Sequence, residues 1–158
     1  PALLLPKFIS NVAEKKYALG IIPHYVDYDA IVARFKDDTT IKVINLMTND
    51  VVKTTQEILE CKQIISSSLH GVIVSHAYEI PALWVKFSNK LAGDNVKFYD
   101  YFESLNITYS KEFYINPSES SIADFEKLLS ENTSILLPSK DKLIQTQEAL
   151  FASCPFKK

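Results

Sequence analysis

The sequence predicts an α/β domain: a parallel β-sheet with helices on both faces, formed by residues 1–158 as one unit. Three observations predict it. Four short apolar runs alternate with segments whose apolar residues recur at helical spacing, giving the order β-α-β-α-β-α-β. The connections between them are short, which favours right-handed crossovers between parallel strands. The composition, 158 residues with 47% hydrophobic and 23% charged, is that of one ordinary globular domain.

The elements follow in order. Tyr17 to Ile22 (YALGII) is a strand closed by Pro23. Tyr28 to Phe35 carries Ile31, Val32 and Phe35 at helical spacing. Ile41 to Leu46 (IKVINL) is the second strand. Asn49-Asp50 caps a helix whose apolar face is Val52, Thr55, Ile58 and Leu59. Lys62 to Ile65 is the third strand, Leu69 to Tyr78 a helix apolar enough to be buried, and Pro81 to Val85 the fourth strand. Ser88 to Asp94 is a polar loop, and Phe98 to Leu105 (FYDYFESL) a short aromatic helix. Ser121 with Asp124 forms a capping box that opens a helix with Ile122, Phe125, Leu128 and Leu129 inward. A last helix, Asp141 to Ala152, is expected to bury Leu143, Ile144, Gln147, Leu150 and Phe151.

Several function classes are excluded. Seventeen basic and 19 acidic residues give a formal charge of −2, with no basic run to follow a nucleic acid backbone. No apolar stretch reaches the roughly 20 residues that span a bilayer. PALLLPKF has no basic region ahead of its apolar run, so the start reads as the interior of a longer chain rather than a signal peptide. Cys61 and Cys154 match no metal spacing and read as two reduced cytosolic thiols. There is no HxxEH and no paired CxxC, so no metal is expected. GxGxxG, P-loop and GxSxG patterns are also missing.

Residues 61–85 (CKQIISSSLHGVIVSHAYEIPALWV) carry the chemistry. A strand runs into Ser66, Ser67 and Ser68, then into a helix beginning Leu69-His70-Gly71. Ligands of parallel sheets lie beyond the carboxyl ends of the strands, and helix N-termini bind anions. A single serine suffices to cap a helix, whereas three in a row add hydroxyl donors for a ligand. The dipole of a helix tip disfavours an imidazolium unless an anion is bound, which suits a His70 that holds an anion and passes a proton. Gly71 inside a helix costs roughly 1 kcal/mol against alanine, so a ligand or neighbouring chain must approach it closely. His24, at the end of the first strand, is a candidate lining residue of the same crevice. Lys97 is a candidate for neutralising a second anionic group, the alternative being a solvated lysine. His76 shares a stripe with Leu69, Val72 and Ile73 and reads as structural, and Arg34 as a surface residue.

Ser66-Ser67-Ser68-Leu69-His70-Gly71 followed by Ala77-Tyr78-Glu79-Ile80-Pro81 resembles the S-S-x-L-H-G…A-x-x-x-G-I-P signature of the polysaccharide pyruvyl transferase family. Leu19 to Asp27 (LGIIPHYVD) resembles the first strand of that family's C-terminal half. Lys97 to Ser104 (KFYDYFES) resembles a later segment of bacterial members, and Pro1 to Leu5 its GDPALLL stretch without the leading Gly-Asp. The resemblance covers Pro1 to Ser104. One departure is Glu79, where many members have glycine, expected to be tolerated at a helix end.

The resemblance implies a Rossmann-like sheet forming one half of a GT-B-like enzyme. That enzyme transfers pyruvate from phosphoenolpyruvate onto two hydroxyls of a cell-surface or exopolysaccharide sugar as a cyclic ketal. The family's Leu-His pair falls on Leu69 and His70 and is implicated in binding phosphoenolpyruvate. No cofactor beyond that donor is implied. This chain is then the donor-binding half, with the glycan acceptor held by an absent N-terminal half. The expected compartment is the cytoplasm, at the inner face of the membrane where the acceptor is lipid-linked. On chemical grounds, phosphoenolpyruvate needs donors for two anionic groups and one proton-transfer group. The helix amides, Ser66 to Ser68 and Lys97 are candidates for the first, and His70 for the second or for the leaving phosphate. A sugar-nucleotide glycosyltransferase domain of the same architecture is the main alternative. The other is a non-catalytic domain that docks a partner, which an exposed apolar surface on the crevice-facing helices would favour.

Overall fold

Strands β1 (Tyr17–Ile22), β2 (Ile41–Val43), β3 (Cys61–Ser66) and β4 (Ala82–Trp84) lie parallel in one sheet, in the order β2-β1-β3-β4. They belong to a computed structural model that describes residues 1–9, 12–90 and 95–154. Helices α1 (Tyr28–Phe35), α2 (Val51–Leu59) and α3 (Leu69–Ala77) make the three crossovers. A 3-10 helix, Ala2–Lys7, precedes the sheet, and α4 (Val96–Ser104), α5 (Ile122–Glu131) and α6 (Lys140–Ala152) follow it.

The strands sort their side chains by alternation, the period-2 rule of extended chain. Leu19, Ile21, Ile65 and Leu83 enter one apolar layer with α1 and α5, the latter through Phe125 and Leu129. Ile22, Ile64 and Ala82 enter the opposite layer with Ile58 of α2 and Val74 of α3. Both faces are thus covered, which is why the strands read as nearly continuous apolar runs. A smaller cluster at the edge stacks Trp84 on Phe98 of α4, with ring centroids 4.5 Å apart.

The expected elements are present, with shifted edges. β2 pairs only through Val43, although the amide of Ile44 still donates to the Ile21 carbonyl at 2.9 Å. α4 begins at Val96 rather than Phe98. The capping box at Ser121 and Asp124 forms as expected, and Asp50 caps α2 through the amide of Lys53. The loop expected over Ser88 to Asp94 falls partly at 91–94, outside the described residues.

Two expected faces need correction. On α2, Val52 is 57% exposed, and Thr54 takes an inward place. Both Thr54 and Thr55 return their hydroxyls to carbonyls one turn back, so their methyl faces bury without an orphaned donor. On α6 only Leu143 is buried, while Ile144 and Phe151 are exposed. That helix meets the body along a narrow stripe, where Leu143 packs with Leu3 and Ala77 and Gln147 Nε2 donates to the Leu3 carbonyl. A single stripe of contact covers one side chain per turn, so neighbours on either flank stay in water.

α3 ends in a Schellman motif. Ile80 N–H bonds the Ser75 carbonyl, and Glu79 N–H bonds the His76 carbonyl. Glu79 takes the left-handed position, φ 56°. Glycine would sit there without strain, and a glutamate costs about 1 kcal/mol. This accounts for the residue type that the family signature carries at that place.

His76 is fully buried in α3, one ring nitrogen facing the Leu136 carbonyl and the other the Tyr101 hydroxyl, each at 3.0 Å. A carbonyl can only accept, so Nε2 carries the proton and Nδ1 accepts from Tyr101. The ring is neutral, and burial pushes its pKa down from 6.5 to about 4. Gly71, one turn into the same helix, is where α3 touches the sheet. A Cβ there would stand 2.5 Å from Ser66 Oγ and 2.8 Å from Ile22 Cγ2. The close approach that this glycine requires is therefore made by β1 and β3.

These two residues give measurable outcomes. Because His76 is depressed when folded, its contribution to stability is complete above pH 6.5 and is lost as pH falls toward about 4. The full loss amounts to about 3 kcal/mol. Urea unfolding at about pH 7 and about pH 5 reads this dependence, and the His76→Gln variant is expected to flatten it. Gly71→Ala is expected to cost about 1–3 kcal/mol in the same assay, through overpacking against Ser66 and Ile22.

Candidate functional site

The sheet order creates the site. From β1 the chain crosses to β2 on one side, then passes back over to β3 on the other. The connections leaving the carboxyl ends of β1 and β3 therefore diverge, and a crevice opens between them. In register these ends are Ile22 and Ser66. After Ile22 come Pro23 and His24, then a 3-10 turn, Tyr25–Asp27. After Ser66 come Ser67, Ser68 and the first turn of α3.

The three serines have three different roles. Ser66 is fully buried, and its hydroxyl faces the carbonyls of Ile22 and Ser68, both at 2.9 Å, while accepting from the Ser68 amide at 3.0 Å. Ser67 is also buried, and its Oγ accepts from the His24 amide at 2.8 Å. That bond fixes the entry of the 3-10 turn and leaves the Ser67 hydroxyl proton to be donated elsewhere. Ser68 is the N-cap of α3 but makes no side-chain cap bond. The first amides of an α-helix have no acceptor within the helix, and the Ser68 side chain does not supply one for those of α3.

A cavity of about 1420 Å³ covers this end of the sheet. Of the residues singled out in the sequence, His24, Ser67, Ser68, Leu69, His70 and Lys97 line it. Ser66 and Gly71 do not: they form the packed floor beneath, and Ser66 spends its hydroxyl on the backbone. His70 is exposed, while Leu69 leans on the Trp84 and Phe98 cluster. Arg34 lies outside the cavity, where it donates to the Ser120 carbonyl.

Sequence spacing gives no sign of three further lining features. Lys90 and Asn95 reach the cavity from the segment after β4. Asn95 is held by its amide to Glu112 Oε1 at 2.8 Å and sits at φ 63°, a conformation asparagine tolerates better than most residues. At the other end the wall is apolar, formed by Leu5, Met47, Val51 and Ile58. The polar end carries His24, His70, Lys90 and Lys97 against Asp100, an excess of groups suited to an anion.

His24 is coupled to this field. Burial holds its imidazole below the ordinary histidine range, Lys97 pushes in the same direction, and Asp27 opposes both. Its Nδ1 and the Oδ2 of Asp27 are buried without a hydrogen-bond partner. Such atoms cost about 1–3 kcal/mol each and are rare in folded proteins. Cys61, by contrast, is chemically quiet, since burial pushes its thiol up to about 12. Cys154 is exposed, and both cysteines are free. Among the described residues no group of three His, Cys, Asp or Glu stands close enough to hold a metal ion, and no helix is long and apolar enough to cross a membrane.

Comparison with known proteins agrees with the motif. The family model described as polysaccharide pyruvyl transferase matches residues 1–89, which include β1 to β4 and the polar floor of the cavity. An uncharacterized protein, L143, of Acanthamoeba polyphaga mimivirus is 39% identical over 137 residues, covering 79% of this chain and 46% of that protein. The chain therefore spans about half the length of this relative. No solved structure matches significantly. With the S-S-S-L-H-G turn at its switch point and more than half its length matched, the chain belongs to the polysaccharide pyruvyl transferase family.

Proposed function

We propose that the cavity binds phosphoenolpyruvate, and that this chain is the donor-binding half of an enzyme that transfers pyruvate to a sugar as a cyclic ketal. One observation carries the reading. The uncapped tip of α3, His70, His24 and Lys97 converge on one cavity at the switch point of a parallel sheet. Phosphoenolpyruvate is small and carries two anionic groups, a phosphate and a carboxylate, on the same carbon, C2. The α3 amides with the Ser67 and Ser68 hydroxyls suit the phosphate, because several fixed donors share one dianion. Lys97, on a different helix, suits the carboxylate. His70 in the first turn is placed for the leaving phosphate, where the helix dipole and an imidazole answer the same charge.

A cavity of about 1420 Å³ far exceeds a molecule this small. The remaining space is assigned to the sugar acceptor, brought by the part of the enzyme that lies beyond this chain. The relative's greater length supports that division. The GT-B-like pairing of two such halves, and a cytoplasmic setting at the inner face of a membrane bearing a lipid-linked acceptor, belong to the same proposal.

A second reading has its own observation. Phe8 (74% exposed), Met47 (70%) and Val51 (52%) form an apolar rim on this cavity. Such a rim also fits a domain that docks a protein partner without binding a donor.

Isothermal calorimetry separates the readings. Phosphoenolpyruvate is expected to bind and to lose about tenfold or more in affinity in the His70→Ala variant, a cost of about 1.4 kcal/mol. Because His70 is exposed, that variant is expected to fold normally. Preference for a nucleotide sugar would replace the donor assignment by the glycosyltransferase alternative. No heat from either ligand would leave the docking reading alone.

A further inference from the structure

We propose that His24, backed by the buried Asp27, is the proton-transfer residue of this site, delivering a proton to the donor's methylene carbon while His70 attends the phosphate. This rests on the donor assignment above and adds a division of labour between the two cavity histidines.

Geometry argues for it. His24 is the N-cap of the 3-10 turn Tyr25–Asp27, and the Asp27 amide closes that turn on the His24 carbonyl at 2.9 Å. The His24 backbone is pinned to the switch point by Ser67 Oγ. Its ring lies against Tyr25, with centroids 4.4 Å apart, and lines the cavity. Nδ1 is turned inward and buried, so Nε2 is the nitrogen left to meet a ligand. Asp27 is only 4% exposed, and its charge acts on the imidazole from the same turn without a hydrogen bond to Nδ1. Among the described residues three buried side-chain polar atoms lack a partner, Trp84 Nε1, His24 Nδ1 and Asp27 Oδ2, and the last two fall within one short turn.

The charges around His24 make the proton responsive to the donor. Asp27 acts from its own turn, and Lys97 is the charge felt from α4. His70 of α3, Asp100 of α4 and Lys90 line the same cavity. Burial and Lys97 hold the imidazole neutral, against Asp27. A carboxylate or phosphate paired with Lys97 cancels that repulsion, so arrival of the donor raises the affinity of His24 for a proton.

The step balances. The double bond of the donor takes the Nε2 proton at C3, which becomes a methyl group, and positive charge develops at C2. An acceptor hydroxyl oxygen bonds to C2 and returns its proton to the neutral imidazole. The bond between C2 and the phosphate oxygen then breaks, its electron pair leaving with the phosphate. The second hydroxyl bonds to C2 and its proton passes to that phosphate. One phosphoenolpyruvate and one diol thus give one cyclic ketal and one hydrogen phosphate. Asp27 touches no substrate and acts as a positioning residue.

Nuclear magnetic resonance of the whole ¹⁵N-labelled chain tests this, since three histidines give three imidazole titrations. The expected results are an upward shift of the His24 midpoint in Lys97→Gln, a downward shift in Asp27→Asn, and an upward shift with saturating phosphoenolpyruvate. His76 is expected to stay unmoved throughout. Lys97 is exposed, so its variant folds even if the buried Asp27 substitution does not. A His24 midpoint indifferent to Lys97→Gln overturns the proposal. So does one unchanged by phosphoenolpyruvate that calorimetry reports as bound, and in that case the donor assignment survives. Failure of phosphoenolpyruvate to bind overturns both.

Discussion

One buried hydroxyl holds the working end of this molecule together. Ser66 ends β3, and its oxygen reaches the Ile22 carbonyl of β1 and both the carbonyl and amide sides of Ser68. Those contacts join the two strands whose connections diverge and the helix that starts between them. The arrangement leaves no room above Ser66 for a side chain on α3, and Gly71 occupies that place. The serine and the glycine are a matched pair: the first ties the strand ends, and the second lets the helix descend onto the tie.

The consequences reach the cavity. Because Ser66 takes on the structural bonds, Ser67 is free to anchor His24 and Ser68 leaves the tip of α3 uncapped. Because Gly71 lets α3 pack closely onto the sheet, its first turn brings Leu69 and His70 into the cavity lining. On the other strand the same tie sets the start of the turn that carries His24 and Asp27. Two histidines from two strand ends are thereby fixed relative to each other by backbone and buried hydroxyls, not by flexible loops. A preorganised site of this kind spends little on ordering itself when a small anion arrives.

Much of this was legible in the sequence, for reasons that can be named. Strand and helix alternate with clear periods, because both sheet faces are covered and helices show one apolar side. Ser68-Leu69-His70-Gly71 disclosed the helix tip, because a helix start in this position has few other uses for such residues. His76 was legible as structural from its stripe with Val72. What the sequence concealed depends on distant contacts. Nothing local distinguishes Ser66 from Ser67 and Ser68. They part only because the Ile22 carbonyl lies above the first and the His24 amide above the second. Asn95 and Lys90 join the cavity through a segment that has no periodic pattern. Val52, Ile144 and Phe151 read as inward from their apolarity, yet the helices that carry them meet the body along narrower stripes than their sequences allow. Apolar character fixes which residues prefer burial; the width of the neighbouring surface decides which of them achieve it.

The central claim is that the uncapped tip of α3 grips the donor. Diffraction from crystals of this chain grown with phosphoenolpyruvate addresses it directly. The account expects a phosphate oxygen within about 3 Å of the amides at the start of α3, with His70 beside it. Density for the donor at the apolar end, near Met47 and Ile58, or first-turn amides bonded instead by the Ser68 side chain, would contradict it.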